Sequence, residues 1–370
     1  MNRLGVAAIA ACLAALSAVF APQCRAEQAG GEAARRTAGP APQPAAQTKP
    51  FYFLGPHLFP YNYGIVGLMV GDMNGDGRAD LCFLDNRLSK FQFLLQRGEQ
   101  GEAEPVGKPA SVPEEDVNKI APDALLKKGG FLTNQEVSAY TLLEPGGRLG
   151  MAYFSGTKEL FVARRQDDGE WKNEQRMLLE LDSTFCGGFE AADFNGDGRS
   201  DLVFLAEDAV LIFPQQEGGT LGGPARYPLA QPRCGGLKVG DLDGDTRPDL
   251  LFVAPGTPYP LHARLTQPDG APGPEYRFRM PEPRDVTIAD VDADGRSEIV
   301  LIESTTNRIK VYRWHLREVK SEDPLEFASV QLVPLAHDAK PESRDFVVGD
   351  FDGNGLADLL VTDPASARMT

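Results

Sequence analysis

GDMNGDGRADLCFL begins at Gly71, and four close copies follow: ADFNGDGRSDLVFL from Ala192, GDLDGDTRPDLLFV from Gly240, ADVDADGRSEIVLI from Ala289 and GDFDGNGLADLLVT from Gly349. They align without gaps. Their first aspartates, Asp72, Asp193, Asp241, Asp290 and Asp350, are 121, 48, 49 and 60 residues apart. The first interval is twice its neighbours, so a sixth, eroded unit is expected inside it. SAYTLLEPGGRLGMAYFSGTKELFVARR from Ser138 keeps the rhythm and Arg148 but has no aspartates, so it is expected to bind no metal. A fixed period of this length marks a repeat architecture in which each unit buries its faces against the next.

Every copy reads as strand, turn, strand. An apolar stretch runs into the acidic turn (RDVTIAD, RDFVVGD), and a nearly continuous apolar run leaves it (DLCFL, DLVFL, DLLFV, EIVLI, DLLVT). Short strands with continuous apolar character are covered on both faces. A third apolar run and usually a weaker fourth follow, except in the last unit, which has its first two strands. The fold class is therefore all-β, a β-propeller of four-stranded antiparallel blades with six visible units. Phe51–Leu54 is a lone strand before the first unit, and the last unit ends in PASARMT. Strands from both termini are expected to close the ring. Seven blades stay open if one lies in the insertion at 98–134 or in further C-terminal sequence.

The turns carry the chemistry. Oxygen-bearing side chains fall at positions 1, 3, 5 and 9: Asp72, Asn74, Asp76, Asp80; Asp193, Asn195, Asp197, Asp201; Asp241, Asp243, Asp245, Asp249; Asp290, Asp292, Asp294, Glu298; and Asp350, Asp352, Asn354, Asp358. Alternate oxygens on a tight turn face one centre, and a hard cation with six to eight oxygen ligands suits them, Ca2+ better than Mg2+. Position 7, occupied by Arg78, Arg199, Arg247, Arg296 and Leu356, would add a backbone carbonyl. About five calcium sites are expected on this count. Tandem EF-hands are excluded, since position 12 is apolar (Phe83, Phe204, Phe252, Leu301, Val361) where they need a bidentate glutamate.

The pattern D-x-[DN]-G-D-G-R-x-D-L-x-[FV] between strands resembles the FG-GAP/VCBS repeats, similar to those in the N-terminal propeller of integrin α subunits and in many exported bacterial proteins. The resemblance spans roughly residues 51 to 370. It implies a propeller with calcium in the turn joining the first two strands of a blade. Three departures stand out: Thr246 replaces the position-6 glycine, Ala293 the position-4 glycine, and Asn354 the position-5 aspartate.

Beyond residue 50 the chain has 32 basic and 51 acidic side chains, a net charge of −19. Such a surface repels nucleic-acid phosphates and anionic lipid. It suits cations: the five motifs hold 17 carboxylates. The N-terminus, Met1-Asn2-Arg3 and then LGVAAIAACLAALSAVFA, has the pattern of a signal peptide over residues 1–26, cleaved after Ala26. Residues 27–49 are an Ala/Pro-rich linker with little to bury, and the propeller is expected over 50–370. A secreted, periplasmic or cell-surface location follows, with no membrane span in the mature chain. Cys82, Cys186 and Cys234 remain after cleavage, too few for a disulfide framework. Cys186 and Cys234 sit at equivalent places in Cys-Gly-Gly triplets, so a bridge between them stays open.

His57, His262, His315 and His337 are scattered, and no recognisable catalytic constellation is present. The sequence reads best as an exported scaffold that binds protein or glycan, with structural calcium. A secreted polysaccharide-acting enzyme, lyase or hydrolase, is the alternative, because paired acids can come from distant loops. A lectin would repeat aromatics at equivalent loop positions, and Trp171 and Trp314 are not equivalent.

Overall fold

The computed structural model describes residues 65–96, 126–143, 149–305, 308–314, 325–328, 345–351, 354–363 and 368–369. The expected leader, the linker, the Phe51–Leu54 strand and residues 98–125 of the insertion lie outside them. Twenty-three strands form six antiparallel sheets, each a meander in chain order. Sheet 1 holds β1 (Ile65–Gly71), β2 (Asp80–Asp85), β3 (Lys90–Gln96) and β4 (Leu126–Leu132). Sheet 2 holds β5 (Val137–Leu143), β6 (Gly150–Ser155), β7 (Glu159–Arg165) and β8 (Trp171–Leu178). Sheet 3 is β9 (Gly188–Ala192), β10 (Asp201–Leu205), β11 (Ala209–Phe213) and β12 (Ala225–Pro228). Sheet 4 is β13 (Gly235–Gly240), β14 (Asp249–Val253), β15 (Leu261–Arg264) and β16 (Tyr276–Phe278). Sheet 5 comprises β17 (Pro283–Ala289), β18 (Glu298–Glu303), β19 (Ile309–Trp314) and β20 (Leu325–Ala328). Sheet 6 has three strands, β21 (Asp345–Gly349), β22 (Asp358–Asp363) and β23 (Arg368–Met369).

The strands that leave the acidic turns are deeply buried, as are β6, β11 and β15. All five residues of β10 and all six of β18 are inaccessible. This follows from the stacking of sheets: each apolar cluster draws on two consecutive sheets. Phe154 of sheet 2 meets Phe204 of sheet 3 with ring centroids 4.8 Å apart, inside a cluster running from Leu143 to Leu221. Four further clusters join sheets 1 and 2, 3 and 4, 4 and 5, and 5 and 6. Among the described residues no sheet has a core of its own, as a stacked-repeat fold requires. The first strands of consecutive sheets pack side by side, β1 on β5, β5 on β9, β9 on β13 and β13 on β17.

The structure differs from the sequence reading in two places and answers one point that reading left open. The end of the insertion is the fourth strand of sheet 1, since β4 pairs with β3 from Leu126 to Leu132. The last unit gains a short third strand, Arg368–Met369, beyond the two expected. All three cysteines are free. The first Cys-Gly-Gly serves close approach instead: a side chain at Gly187 would strike the carbonyl of Cys234, and one at Gly188 would overlap Leu237 of the next sheet.

Candidate functional site

Each acidic turn joins the first two strands of its sheet, and its position-1 aspartate caps it. Asp72 accepts from the amides of Gly75 (2.7 Å), Asp76 (3.0 Å) and Gly77 (2.7 Å). Asp193 repeats the set with Gly196, Asp197 and Gly198, and Asp241 with Gly244, Asp245 and Thr246. Asp350 accepts from Asn354 and Gly355. At position 3, Asn74, Asn195, Asp243 and Asp292 accept the position-5 amide at 2.8–3.3 Å. These bonds force positions 4 and 6 into the left-handed region. Gly75, Gly196 and Gly244 have φ of 76°, 73° and 83°, and Gly77, Gly198, Gly295 and Gly355 lie between 80° and 87°. Thr246 (71°) and Ala293 (58°) adopt the same conformation with a Cβ, at a steric cost glycine avoids.

Position 5 folds back on position 7. Asp76, Asp197, Asp245 and Asp294 accept the amides of Arg78, Arg199, Arg247 and Arg296 at 2.9–3.0 Å and pair with the same guanidinium groups. Asn354 accepts the amide of Leu356. The arginines chosen for their carbonyls thus also supply a positive charge at the rim.

Position 9 is the buried anchor. Asp80 accepts from the amides of Met73 (2.9 Å) and Gln96 (2.7 Å), tying its turn to β3. Asp201 does so with Phe194 and Gln215, and Asp249 with Leu242 and Thr266. Asp358 accepts from Phe351. Burial pushes Asp80 up to about 6 and Asp249 up to about 7, with help from neighbouring carboxylates. Position 2 was not singled out from the sequence, although it is apolar in every copy. Met73, Phe194 and Leu242 are each 1% exposed and plug their turns into the cores between sheets.

The donor set fits a hard divalent cation. In the third turn, oxygens of Asp241, Asp243 and Asp249 lie within 4.8 Å of one another, as do those of Asp290, Asp292 and Asp294 in the fourth. Among the described residues these are the two such groups. Burial, and then Asp245 beside it, raises the Asp243 carboxyl, as expected where like charges crowd. In the fourth turn Oδ1 of Asp290 is buried without a partner. That turn also has a rival. Arg313 of β19 donates through Nε to the buried Glu298 (2.8 Å), pairs with Asp292, and lies 3.7 Å from Asp294. Asp352 of the fifth turn lies outside the described residues, so the fit there rests on Asp350, Asn354 and Asp358.

Successive turns line one end of the stack. The amide of Ser297 in the fourth turn donates to the Asp241 carbonyl of the third at 3.0 Å. His262 is a core residue, held by Glu275 (2.8 Å) and the Tyr259 carbonyl (2.8 Å). The other three histidines lie outside the described residues.

The FG-GAP-like repeat model matches residues 193–252 and 290–361. These two stretches, which carry four of the five acidic turns, match FG-GAP-like repeats. Among solved structures, an Agrocybe aegerita lectin described for specific recognition of non-reducing terminal N-acetylglucosamine is similar at 15% identity and a TM-score of 0.52. The match covers 80% of this chain and 74% of that one. A Photorhabdus luminescens Tc holotoxin pore aligns with 82% of this chain and 13% of its own, at 18% identity and a TM-score of 0.43. No curated protein matches. The described fold is all-β and propeller-like, and no helix among the described residues is long and apolar enough to cross a membrane.

Proposed function

We propose that the chain is an exported, calcium-stabilised β-propeller that presents a binding surface to a protein or glycan, its sheets acting as blades of a ring closed by the two ends of the chain. The observation that carries this reading is the acidic turn repeated at one end of successive sheets, with the same internal bonding each time. Such turns spend their carboxylates on local architecture and leave the faces and edges of the blades for partners. Fold similarity to a lectin supports a glycan or protein partner. Calcium would be held by positions 1, 3, 5 and 9 with the position-7 carbonyl, and would supply the charge that 17 crowded carboxylates lack. Five divalent ions would bring −19 to about −9.

The test is a thermal melt of residues 27–370 in EDTA and then in millimolar calcium, with bound ions counted by native mass spectrometry. Extracellular calcium modules bind at about 10⁻⁴–10⁻³ M, which sets the titration range. A calcium-dependent rise in Tm with three to five ions is expected. No ions and no shift would refute the structural-calcium reading.

A further inference from the structure

A cleft of about 650 Å³ opens between sheets 1 and 2, beside the first acidic turn. It lies within the roughly 300–1,000 Å³ range usual for ligand clefts. Its walls are the turn residues Asn74 and Asp76, strands β3 and β4, and the β7–β8 turn from Arg165 to Trp171. It exists because of a local irregularity. Between sheets 3 and 4 the corresponding β15–β16 turn closes on its neighbour, where a Cβ at Gly270 would come within 2.9 Å of the Phe194 carbonyl. Between sheets 1 and 2, β4 presents Gly129 and Gly130 to the cleft, with no side chain to fill it. A Cβ on Gly130 would collide with the Phe91 carbonyl, so β4 hugs β3 and leaves space outside.

The wall is aromatic and the rim is polar. Trp171 stacks on Phe131 (5.6 Å, 5° between planes), tilts against Phe93 (5.3 Å), and lines the cleft half-buried. An indole at a wet, concave surface suits a ligand with one apolar and one polar face. Of the rim charges, Asp76 is engaged by Arg78 and Asn74, and Asp168 by Lys172. Among the described residues the side chains of Arg165 and Lys127 have no ion pair or hydrogen-bond partner, and both are exposed. The guanidinium of Arg165 lies over the first turn, 3.6 Å from where a Cβ of Gly75 would be. Lys127, Lys128 and Arg165 thus balance Asp76, Asp168 and Glu170 around the cleft, and with Asp76 and Asp168 already paired the balance there is less acidic than in the rest of the chain.

We infer that this cleft is a saccharide site selective for an acidic sugar, a uronic-acid residue of a polysaccharide. Resting on the glycan-binding reading above, it locates the site and its ligand class. The ring's apolar face lies on Trp171, and its carboxylate meets the fork of Arg165, which suits planar bidentate recognition, with Lys127 as a second charge. Gln96 lines the rim and offers a side-chain amide to hydroxyls.

The chain has only two tryptophans, and Trp314 is 3% exposed in another cluster, so intrinsic fluorescence reports on this cleft. Titrating oligogalacturonate into the full mature chain in calcium should change tryptophan emission and release heat, while uncharged cello-oligosaccharide should do neither at equal concentration. R165Q should weaken binding at least tenfold with Tm unchanged, since that side chain is exposed. W171A, which removes the reporter itself, should abolish the heat of binding, with its own melt confirming folding. Oligogalacturonate binding that survives R165Q and W171A unchanged would overturn the cleft while leaving a glycan-binding propeller in place. Binding of the neutral oligosaccharide alone would overturn the selectivity, and binding of neither would overturn the site.

Discussion

Replacing Arg313 by glutamine tests how the fourth acidic turn is neutralised. Arg313 comes from β19, not from the motif, yet it meets Glu298, Asp292 and Asp294 at once. Glu298 is fully buried, and Arg313 is 26% exposed. Removing one partner of a buried ion pair costs about 3–5 kcal/mol, whereas the half-exposed pair with Asp292 contributes about 0–1 kcal/mol. Glutamine can still donate one bond to Glu298, so the net loss in EDTA is expected at about 2–3 kcal/mol. At roughly 2 °C per kcal/mol for a chain of this size, Tm falls by about 4–6 °C. Calcium has the opposite consequence. In the wild type an ion at the fourth turn would have to displace the guanidinium from Asp292 and Asp294, so this is expected to be the weakest of the proposed sites. R313Q removes that competitor, so the variant should bind its fourth-turn ion at least tenfold more tightly and recover its lost Tm in calcium. Native mass spectrometry across a calcium titration and paired melts in EDTA read both effects. An unchanged melt in EDTA would refute the placement of Arg313 as counter-ion. An unchanged ion count at every calcium concentration would refute the competition.

The non-glycine residues held at positive φ give a gain-of-stability test: T246G and A293G should each raise stability in urea melts by up to about 1 kcal/mol, because the steric cost exceeds the added freedom of the unfolded chain. The raised carboxyls of Asp80 and Asp249 set a pH dependence. Folded protein retains protons that the unfolded chain has released, so in EDTA their contribution to stability falls as pH rises from about 4 through 6 to 7. Calcium, which binds the ionised form, should flatten that slope; Tm in EDTA rising steadily across the window would contradict it. E275Q should cost about 3 kcal/mol, since Glu275 joins His262 and Arg264 within sheet 4 and takes the Ala230 amide from the link after sheet 3. Against the effect of its burial, those bonds hold the Glu275 carboxyl below its usual range, so its contribution is present above about pH 4.5 and fades in acid. Acid melts of E275Q against wild type would show the difference shrink as pH falls. Finally, G188A should destabilise by about 1–3 kcal/mol or more through overlap with Leu237, whereas G77A, with open space around it, should lose only the cost of its positive φ.

Much of the architecture was legible because it is encoded locally. Alternating oxygens at positions 1, 3 and 5 and the left-handed glycines at 4 and 6 sit within six residues, and a turn of that length closes by its own side-chain bonds. The buried second strands were legible for a similar reason, since DLVFL or EIVLI cannot face water on either side. The eroded unit from Ser138 was also found by rhythm, and its sheet is complete. What escaped was set by spacing that the repeat does not preserve. β4 follows β3 after a long insertion, and its Lys-Lys-Gly-Gly run has no apolar alternation to announce a strand.

Sequence by itself determined an all-β chain of repeated four-stranded units with an acidic turn at one end of each, because turn chemistry and strand burial are short-range and recur at a fixed period. Tertiary structure alone decided which charges those turns meet and where the chain leaves room for a ligand. Position 9 reads as one more ligand, but packing of β2, β10 and β14 between sheets buries it and raises its affinity for a proton. Arg313 and Glu298 are 15 residues apart, and Arg165 and Gly75 lie on different sheets. Their meetings depend on the register of β18 with β19 and on the stacking angle of sheets 1 and 2. Those are properties of packed interfaces, where the apolar core sets the distance and the polar groups take whatever neighbours it brings.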